Sequence, residues 1–316
     1  MKLLIIGASG VLGSRLYNDT IKKKWVVTGT YCSHECVGLS YLDVRDKASL
    51  EKVFNFFRPE TVIMAGGITD VDLCTLKPKL AQEVNIKGTI NLVKKIKEYS
   101  SKLVYISTDY IFDGESGPYK EDDKPNPINA YGRTKLEAEN IIKSKLKNYL
   151  IVRTAQLYGV AERALASSAQ KHNGAAERPV LSEVEGSSAP TSNFTLKIIH
   201  NMKIGKNVYA ADDLYSTPTY SGLLSDILIE LIEKNAEGIY HGAGAEFINR
   251  YDYVNKIADV FNLNKNLIQK VKLKNLKLIA KRPKKGGLKI DKISKDISIT
   301  PGSCEHCLRL FKEELP

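Results

Sequence analysis

The segment NAYGRTKLEAEN places a phenol and an ammonium, Tyr131 and Lys135, four residues apart in what reads as an exposed, charged helix. Positions i and i+4 of a helix share one face, so both side chains can meet one ligand. The chain has 16 tyrosines, and about one or two such spacings are expected by chance, so the spacing alone decides nothing. The context adds two hydroxyls: KLVYIST ends in Ser107 and Thr108, at the carboxyl end of a predicted buried strand, where parallel sheets bind ligands.

These residue types suit the reduction of a carbonyl group. Hydride addition to a ketone creates an oxyanion, which needs a proton donor and a hydrogen-bond donor beside it. A free phenol has a pKa of about 10, and a neighbouring ammonium lowers that pKa by stabilising the phenolate. We therefore predict Tyr131 as the proton donor, Lys135 as the cation that lowers its pKa, and Thr108 as the group that orients and polarises the carbonyl.

The elements that must hold these residues are indicated by two alternating patterns of hydrophobic residues, one typical of buried strands and one typical of helices. Buried strands are predicted at 2–7, 25–31, 61–67, 102–108 and 149–155, and helices at 11–23, 47–57 and 78–99. This repeated strand–helix–strand order requires a parallel sheet covered by helices on both faces. The predicted fold class is therefore α/β, a Rossmann-type doubly wound parallel sheet with a smaller C-terminal α/β substrate domain.

The division along the chain follows from a change of composition. Residues 161–192 are rich in Ala, Ser, Glu and Gly and lack aromatic residues, which is typical of a low-complexity insertion. We predict a dinucleotide-binding domain at 1–160, the insertion at 161–192, and a substrate-binding region at 193–316, part of which packs back on the first domain. We also hypothesise that the insertion loops over the mouth of the active site and that the fold tolerates its removal.

The first predicted strand runs directly into Gly7, Gly10 and Gly13 and then a helix. Glycine permits the tight turn and lets backbone N–H groups approach a pyrophosphate, while the helix N-terminus adds partial positive charge. This context predicts a dinucleotide site. No carboxylate follows the second strand in TGTYCSH, so nothing there would repel a 2'-phosphate. We predict NADPH as the cofactor, with NADH tolerated, and a phosphate contact from Arg15, Ser33 or His34.

Composition argues against several other classes of protein. The formal charge is +11 and the pI about 9.2, but the lysines are spread out without interleaved aromatics, so no nucleic-acid partner is predicted. No apolar run approaches the roughly 20 residues of a membrane span, which predicts a cytoplasmic protein without membrane contact. Cys304 and Cys307 have no second pair of metal-ligating residues, so no metal site is predicted. A monomer or homodimer is expected.

The GxxGxxG spacing is similar to that of the extended short-chain dehydrogenase/reductase superfamily, and further motifs narrow the match. The chain resembles the dTDP-4-dehydrorhamnose reductase family, in order and at similar spacing, at STDYIFDG (107–114), NAYGRTKLEAE (129–139), VRTAQLYG (152–159), NF (193–194), STPTY (216–220), GIYHGAG (238–244) and KRP (281–283). The match covers nearly the whole chain except 161–192. It implies NAD(P)H-dependent reduction of the 4-keto group of a nucleotide-activated 6-deoxy sugar, dTDP-4-dehydro-L-rhamnose to dTDP-L-rhamnose, for cell-surface polysaccharides.

The resemblance also implies roles residue by residue. Thr108, Tyr131 and Lys135 would be catalytic, and Lys135 would hydrogen-bond the nicotinamide ribose. The predicted substrate contacts are Thr108, Asp109 and Gln156. The predicted cofactor-binding residues are Gly7, Gly10, Val11, Leu12, Gly13, Tyr31, Asp43, Val44, Ala65, Gly66, Gly67, Ser107, Tyr131 and Lys135. Within this set Asp43 would hold the adenine amine, or it is only an aspartate in the loop before a helix.

Three features depart from the family. Gln156 stands where the family usually has a tryptophan against the sugar, so a stacking face becomes a polar amide and the exact sugar stays open. Arg15 stands where some members use a glutamate for a magnesium-bridged dimer, so that form of dimer is not expected. The third departure is the insertion at 161–192.

Two alternative functions stay open at this point. The regulatory subunit of methionine adenosyltransferase resembles this family and binds NADP as a partner protein, without turnover. A nucleotide-sugar epimerase or dehydratase is the other alternative, although a dehydratase normally has a glutamate directly after Thr-Asp and here the residue is Tyr110. Asn85 is expected to be a structural helix residue, although the superfamily often has a catalytic-helix asparagine nearby.

Overall fold

The computed structural model of the chain describes residues 1–33, 35–161 and 193–315. Two predictions lie outside the described residues. One is His34 as a phosphate contact, and the other is the course of the insertion over the active-site mouth.

Thirteen strands are present in the described residues, and seven of them form one parallel sheet. In chain order they are β1 (Lys2–Ile6), β2 (Val26–Tyr31), β3 (Ser40–Tyr41), β4 (Thr61–Met64), β5 (Lys102–Thr108), β6 (Tyr149–Thr154), β7 (Leu157–Tyr158), β8 (Val208–Ala211), β9 (Tyr215–Ser216), β10 (Thr219–Tyr220), β11 (Gly238–His241), β12 (Ile248–Asn249) and β13 (Ile268–Val271). The large sheet has the order β11-β6-β5-β4-β1-β2-β3, and every neighbouring pair in it is parallel. The chain order reverses at β1, which is the switch point where such sheets bind ligands.

The helices are α1 (Val11–Lys22), α2 (Lys47–Phe57), α3 (Val71–Leu76), α4 (Pro78–Gln82), α5 (Gly88–Glu98), α6 (Ala130–Lys145), α7 (Phe194–Lys203), α8 (Ser221–Glu233), α9 (Arg250–Phe261), α10 (Ile293–Asp296) and α11 (Cys304–Glu313). A π-helical segment, Glu83–Lys87, joins α4 to α5. Within the described ranges, no helix has both the length and the apolar character that crossing a bilayer requires.

Helices cover both faces of the sheet because both faces of its central strands are apolar. Successive side chains of a strand point to opposite faces. Leu3 and Ile5 therefore join one core with α1, α8 and α11, while Leu4 and Ile6 join a second core with α2, α5 and α6. Strands buried on both faces are the mark of a doubly wound parallel sheet. The predicted fold class is confirmed.

The C-terminal half contributes one strand to this sheet and also packs over its carboxyl edge. β11 pairs with β6, while β10 with β7, β12 with β9 and β13 with β8 form two-stranded sheets. The segment 281–287 returns to the end of β5 and the start of α6. There Asn129 Nδ2 donates to Lys281 O (3.0 Å) and Gly287 N donates to an Asp109 carboxylate oxygen (3.0 Å). The proposed division at 160 and 193 stays a prediction.

Candidate active site

The glycine turn after β1 is shaped by close backbone contacts. Gly7 has φ +87°, and a Cβ there would lie 2.6 Å from Gly66 Cα. A Cβ on Gly13 would lie 2.1 Å from Gly7 O. Gly10 instead has room: it precedes α1, and a Cβ there would meet only Gly7 O at 3.4 Å. The turn thus leaves the N-terminus of α1 open to a ligand, and the first N–H groups of a helix lack partners within the helix.

A second turn, Ala65 to Gly67 after β4, lies against the first. Gly66 meets Gly7, and Gly67 has φ +145° with Asn85 Oδ1 3.0 Å from the position of a Cβ. Asn85 fixes this turn: Ile68 N donates to its Oδ1 (2.9 Å), and its Nδ2 donates to Ile68 O (3.0 Å) and Thr134 Oγ1 (3.1 Å). The second turn and α6 are therefore tied together by one buried amide.

The predicted adenine end lies at the edges of β2 and β3. The ring of Tyr31 packs edge-to-face on Tyr41, with centroids 5.9 Å apart. The Asp43 carboxylate accepts from the Arg45 guanidinium at 2.6 Å, which lowers the pKa of Asp43. Asp43 does not cap the next helix, because that role belongs to Asp46, whose side chain accepts from Ala48 N. Asp43 lines a surface cavity of about 320 Å³, which leaves its predicted contact with adenine open.

Arg15 makes contacts with both α1 and the C-terminal end of the chain. Its Nε donates to Asp19 (2.6 Å), and its Nη1 donates to Tyr220 Oη (3.0 Å) and pairs with Glu314. These partners join α1 to the C-terminal end of the chain. The predicted contact of Arg15 with a 2'-phosphate stays a prediction. Ser33 is exposed beyond the end of β2.

The predicted catalytic residues come together at the carboxyl end of β5. Thr108 is the last residue of that strand, and Tyr131 and Lys135 lie in the first turns of α6, which Asn129 caps through a bond to Gly132 N (2.9 Å). The Thr108 side chain lies close enough to the Tyr131 hydroxyl to lower the pKa of that phenol. Lys135 Nζ donates to Ile106 O (2.7 Å). All three catalytic candidates are at least nine-tenths buried.

Burial dominates the electrostatics of this group. It raises the pKa of Tyr131 above its usual value, an effect that the nearby Thr108 hydroxyl partly offsets. Burial lowers the pKa of Lys135 to about 7, against the opposing charge of Glu139. Lys135 is not among the leading causes acting on the phenol. The predicted lowering of the Tyr131 pKa by Lys135 is therefore wrong for this state of the protein, because the desolvation of the phenol outweighs the nearby cation.

Three buried polar atoms in this region have no hydrogen-bond partner among the described residues: Ser107 Oγ, Thr154 Oγ1 and Gln156 Nε2. β5 and β6 pair with Thr108 opposite Thr154, so all three residues belong to the same carboxyl edge. Gln156 also has φ +40°, in the left-handed region that residues other than glycine seldom adopt. Buried polar groups without partners call for a ligand or another explanation.

These observations test whether a dinucleotide fits. The open N-terminus of α1 suits a pyrophosphate, the Gly66–Gly67 turn lets a ligand approach the backbone, and Ser107 Oγ offers a free hydroxyl at the edge of the sheet. The residues that could hold the cofactor are thus those of the two turns and the end of β5. Residues 1–187 and 182–315 match the RmlD substrate binding domain family.

The chain belongs to this family. It is 28% identical over 322 residues to the dTDP-4-dehydrorhamnose reductase of Aggregatibacter actinomycetemcomitans, covering 98% of this chain and 97% of that protein. It is 30% identical over 267 residues to the methionine adenosyltransferase 2 subunit beta of Xenopus tropicalis, covering 83% of this chain and 72% of that protein. A crystal structure of dTDP-4-dehydrorhamnose reductase from Bacillus anthracis in complex with NADP superposes with a TM-score of 0.83, at 25% identity and over 99% of both chains.

The resemblance that the motifs predicted is thereby confirmed, and the predicted class of oxidoreductase agrees with these reductase relatives. Sequence reasoning missed two further contacts of the site. Gly287 holds the Asp109 carboxylate through its backbone N–H, and the only signal was the pair of glycines in the basic loop after KRP. Asn85 was expected to be a structural helix residue, and its bonds to Ile68 and Thr134 were not predicted. It lies in a π-helical segment, which no residue pattern in the sequence indicates.

Proposed function

We propose that this member of the RmlD substrate binding domain family reduces the 4-keto group of a nucleotide-activated 6-deoxy sugar with NADPH, and that its substrate is dTDP-4-dehydro-L-rhamnose. The observation that carries the proposal is the juxtaposition of Tyr131 and Thr108 at the carboxyl end of β5, two strands from the glycine turn of β1. A carbonyl group between the two hydroxyls would receive a proton donor and a hydrogen-bond donor together.

The chain's own residues would divide the work as follows. The residues of the two glycine turns and the end of β5 would hold the nicotinamide cofactor, which would serve as the hydride source for the carbonyl carbon. Tyr131 donates its proton to the carbonyl oxygen, and its raised pKa keeps that proton on the phenol at neutral pH. Thr108 would hold the carbonyl oxygen in place. Lys135, whose pKa of about 7 leaves it partly protonated at neutral pH, would in its protonated form supply positive charge as the phenol loses its proton. The burial of all three excludes water from the reacting atoms.

The substrate contacts proposed are Thr108, Asp109 and Gln156. The unpartnered Nε2 of Gln156 supports this, because a sugar hydroxyl could accept its hydrogen bond. The replacement of an aromatic face by this amide is the reason the sugar must be determined by experiment. NADPH is proposed over NADH because Cys32 and Ser33, which directly follow β2, carry no carboxylate to repel a 2'-phosphate.

The test is oxidation of NADPH and NADH against a panel of dTDP-, UDP- and GDP-4-keto-6-deoxy sugars. We expect turnover with a dTDP sugar and a loss of at least about 100-fold in kcat for Tyr131→Phe, with NADPH affinity retained. Tyr209→Phe, which changes an exposed tyrosine on β8, is the matched control and should leave kcat unchanged. Equal turnover by Tyr131→Phe and the wild type would contradict the mechanism.

A second candidate function is that of an NADP-binding regulatory subunit. It is favoured by the 30% identity to the methionine adenosyltransferase 2 subunit beta. That function predicts tight NADPH binding with no turnover of any sugar in the panel, together with a complex formed with a methionine adenosyltransferase catalytic subunit in size-exclusion chromatography.

A further inference from the structure

Arg250, the first residue of α9, is a cation without an anionic partner in the part of the chain that the structure describes. Its guanidinium carbon lies 4.3 Å from the centroid of the Phe194 ring. Its Nε is buried and makes no hydrogen bond to any described residue. No described carboxylate comes within ion-pair distance of it, whereas Arg15, Arg45, Arg153, Arg282 and Arg309 each have one.

A guanidinium without a counter-ion at the position of Arg250 lowers the stability of the fold unless a bound ligand neutralises its charge. Arg58 and Arg133 also lack a carboxylate among the described residues, but both are exposed to water. Arg250 is partly buried, and burial lowers its pKa, yet an arginine keeps its charge in proteins. A buried cation without a counter-ion is unfavourable. Such a group is expected where an anion binds.

Backbone pairing places Arg250 beside the candidate active site. The strand just before it, β12, pairs with β9. In β9, Tyr215 N donates to Lys284 O (2.6 Å), and three residues further on Gly287 N donates to the Asp109 carboxylate (3.0 Å). The start of α9 is thus connected through two neighbouring segments to a residue that follows Thr108 directly.

The side chains around it agree with this placement. Tyr110 packs edge-to-face on Tyr131, with ring centroids 5.7 Å apart. Both Arg250 and Arg282 are close enough to oppose the rise that burial causes in the pKa of Tyr110. Arg282 is already neutralised by Asp72 at 2.9 Å. Arg250 therefore supplies a positive charge near Tyr110 that no described carboxylate compensates.

We propose that Arg250 is an anion-binding residue and that its ligand is the diphosphate of the nucleotide-activated substrate. The identity of the ligand rests on the proposed function, since the sugar and the nucleoside are uncharged and the diphosphate is the part of that substrate that needs a cation. A guanidinium suits phosphate oxygens because its N–H groups can donate two parallel hydrogen bonds. The pyrophosphate of the dinucleotide is a separate anion, assigned to the N-terminus of α1.

The test measures binding without turnover. Isothermal titration calorimetry is run with inorganic pyrophosphate, with dTDP, UDP and GDP, and with thymidine as the uncharged probe, on the NADPH-loaded protein. We expect Arg250→Met to weaken the binding of pyrophosphate and of the preferred nucleoside diphosphate about ten- to a hundredfold, while thymidine affinity is unchanged. Arg250→Lys keeps the charge and should recover part of the loss. Arg309→Met, on the exposed face of α11, is the matched control and should bind like the wild type.

Thermal unfolding without ligand separates this role from a structural one. Because Arg250→Met removes a cation that has no counter-ion among the described residues, its melting temperature should equal or exceed that of the wild type. In the NADPH-loaded proteins, in which the N-terminus of α1 is occupied, pyrophosphate should raise the melting temperature of the wild type alone. Unchanged pyrophosphate affinity in Arg250→Met, or no pyrophosphate binding by the wild type, overturns the proposal. Arg250-dependent diphosphate binding in a protein that reduces no sugar would keep the anion site and reject the reductase.

Discussion

Asp109 is a carboxyl group buried to 2% exposure at the end of β5. Burial raises its pKa to about 6, although the bond from Gly287 N opposes the rise. An unfolded aspartate has a pKa of about 4. Between about pH 4 and pH 6 the folded protein therefore binds more protons at this residue than the unfolded chain does, and its contribution to stability falls as pH rises.

Asp109→Asn removes this titration and keeps an oxygen to accept from Gly287. We expect the free energy of unfolding of the variant, relative to that of the wild type, to rise by about 2 kcal/mol between pH 4 and pH 7.5. Urea unfolding at the two pH values measures it. Asp259→Asn, at an exposed residue on α9, should show no such change. A difference between Asp109→Asn and wild type that is constant across pH would refute the assignment.

At the scale of residues, the places where glycine is required were predicted from the sequence more accurately than the pKa values and ion-pair partners of the titratable side chains. Gly7 and Gly13 were predicted because the steric demands of a tight strand-to-helix turn are local, and a Cβ at either position would meet backbone. The pKa of Tyr131 was predicted with the wrong sign because burial depends on the whole fold. The partners of Arg15 were also missed, since Glu314 lies at the far end of the chain.

At the scale of elements, the five predicted strands lie within a few residues of β1, β2, β4, β5 and β6, whereas β11 was not predicted. Each is a short, nearly continuous apolar run, as a parallel strand covered on both faces must be. The predicted helix at 78–99 instead contains the π-helical segment Glu83–Lys87. Helix α3 was not predicted, because its six residues are too few to show a helical period. Its capping residue Asp70, which accepts from Leu73 N, was the available signal.

The π-helical segment gives a prediction at this scale. Asn85→Ala removes the bonds to Ile68 and Thr134, so we expect the free energy of unfolding to fall by about 2–4 kcal/mol. Because Ile68 adjoins the Gly66–Gly67 turn, NADPH affinity should fall as well, by about tenfold. Thr20→Ala removes a buried hydroxyl that bonds only within α1, and should cost stability without weakening NADPH binding. Calorimetric titration and urea unfolding of both variants test this, and unchanged NADPH affinity in Asn85→Ala would disprove the link.

At the scale of the molecule, a buried ion pair in the N-terminal half is linked by hydrogen bonds to the C-terminal half. Glu139 on α6 and Arg153 on β6 are 0% and 2% exposed and bond at 2.8 and 3.0 Å. Arg153 also donates to Glu121 O (3.0 Å), and the Glu121 side chain accepts from the backbone of His241 on β11 (3.0 Å). Removing one partner of a buried pair leaves an uncompensated charge.

Glu139→Gln should therefore lower the free energy of unfolding by about 3–5 kcal/mol. The double variant Glu139→Leu with Arg153→Met should recover much of the loss, because neither charge then remains. Glu305→Gln breaks the exposed pair with Arg309 and should cost less than about 1 kcal/mol. Urea unfolding of the three variants gives the comparison, and a loss in Glu139→Gln no larger than that in Glu305→Gln would exclude a central role for the pair.

The insertion provides the last prediction at this scale. Its two ends adjoin, because Asn193 Nδ2 donates to Gly159 O (2.9 Å) while Asn193 Oδ1 accepts from Leu196 N (3.0 Å) to cap α7. Joining Ala161 to Asn193 through four Gly or Ser residues in place of 162–192 spares both bonds. Shortening a loop this much reduces the entropy cost of closing it, so stability should be unchanged or rise by about 1–2 kcal/mol. Circular dichroism melting and NADPH titration measure the outcome. An insoluble or unfolded product would show that the segment is needed for folding, while a folded protein with unchanged NADPH affinity would support the tolerance predicted from its composition.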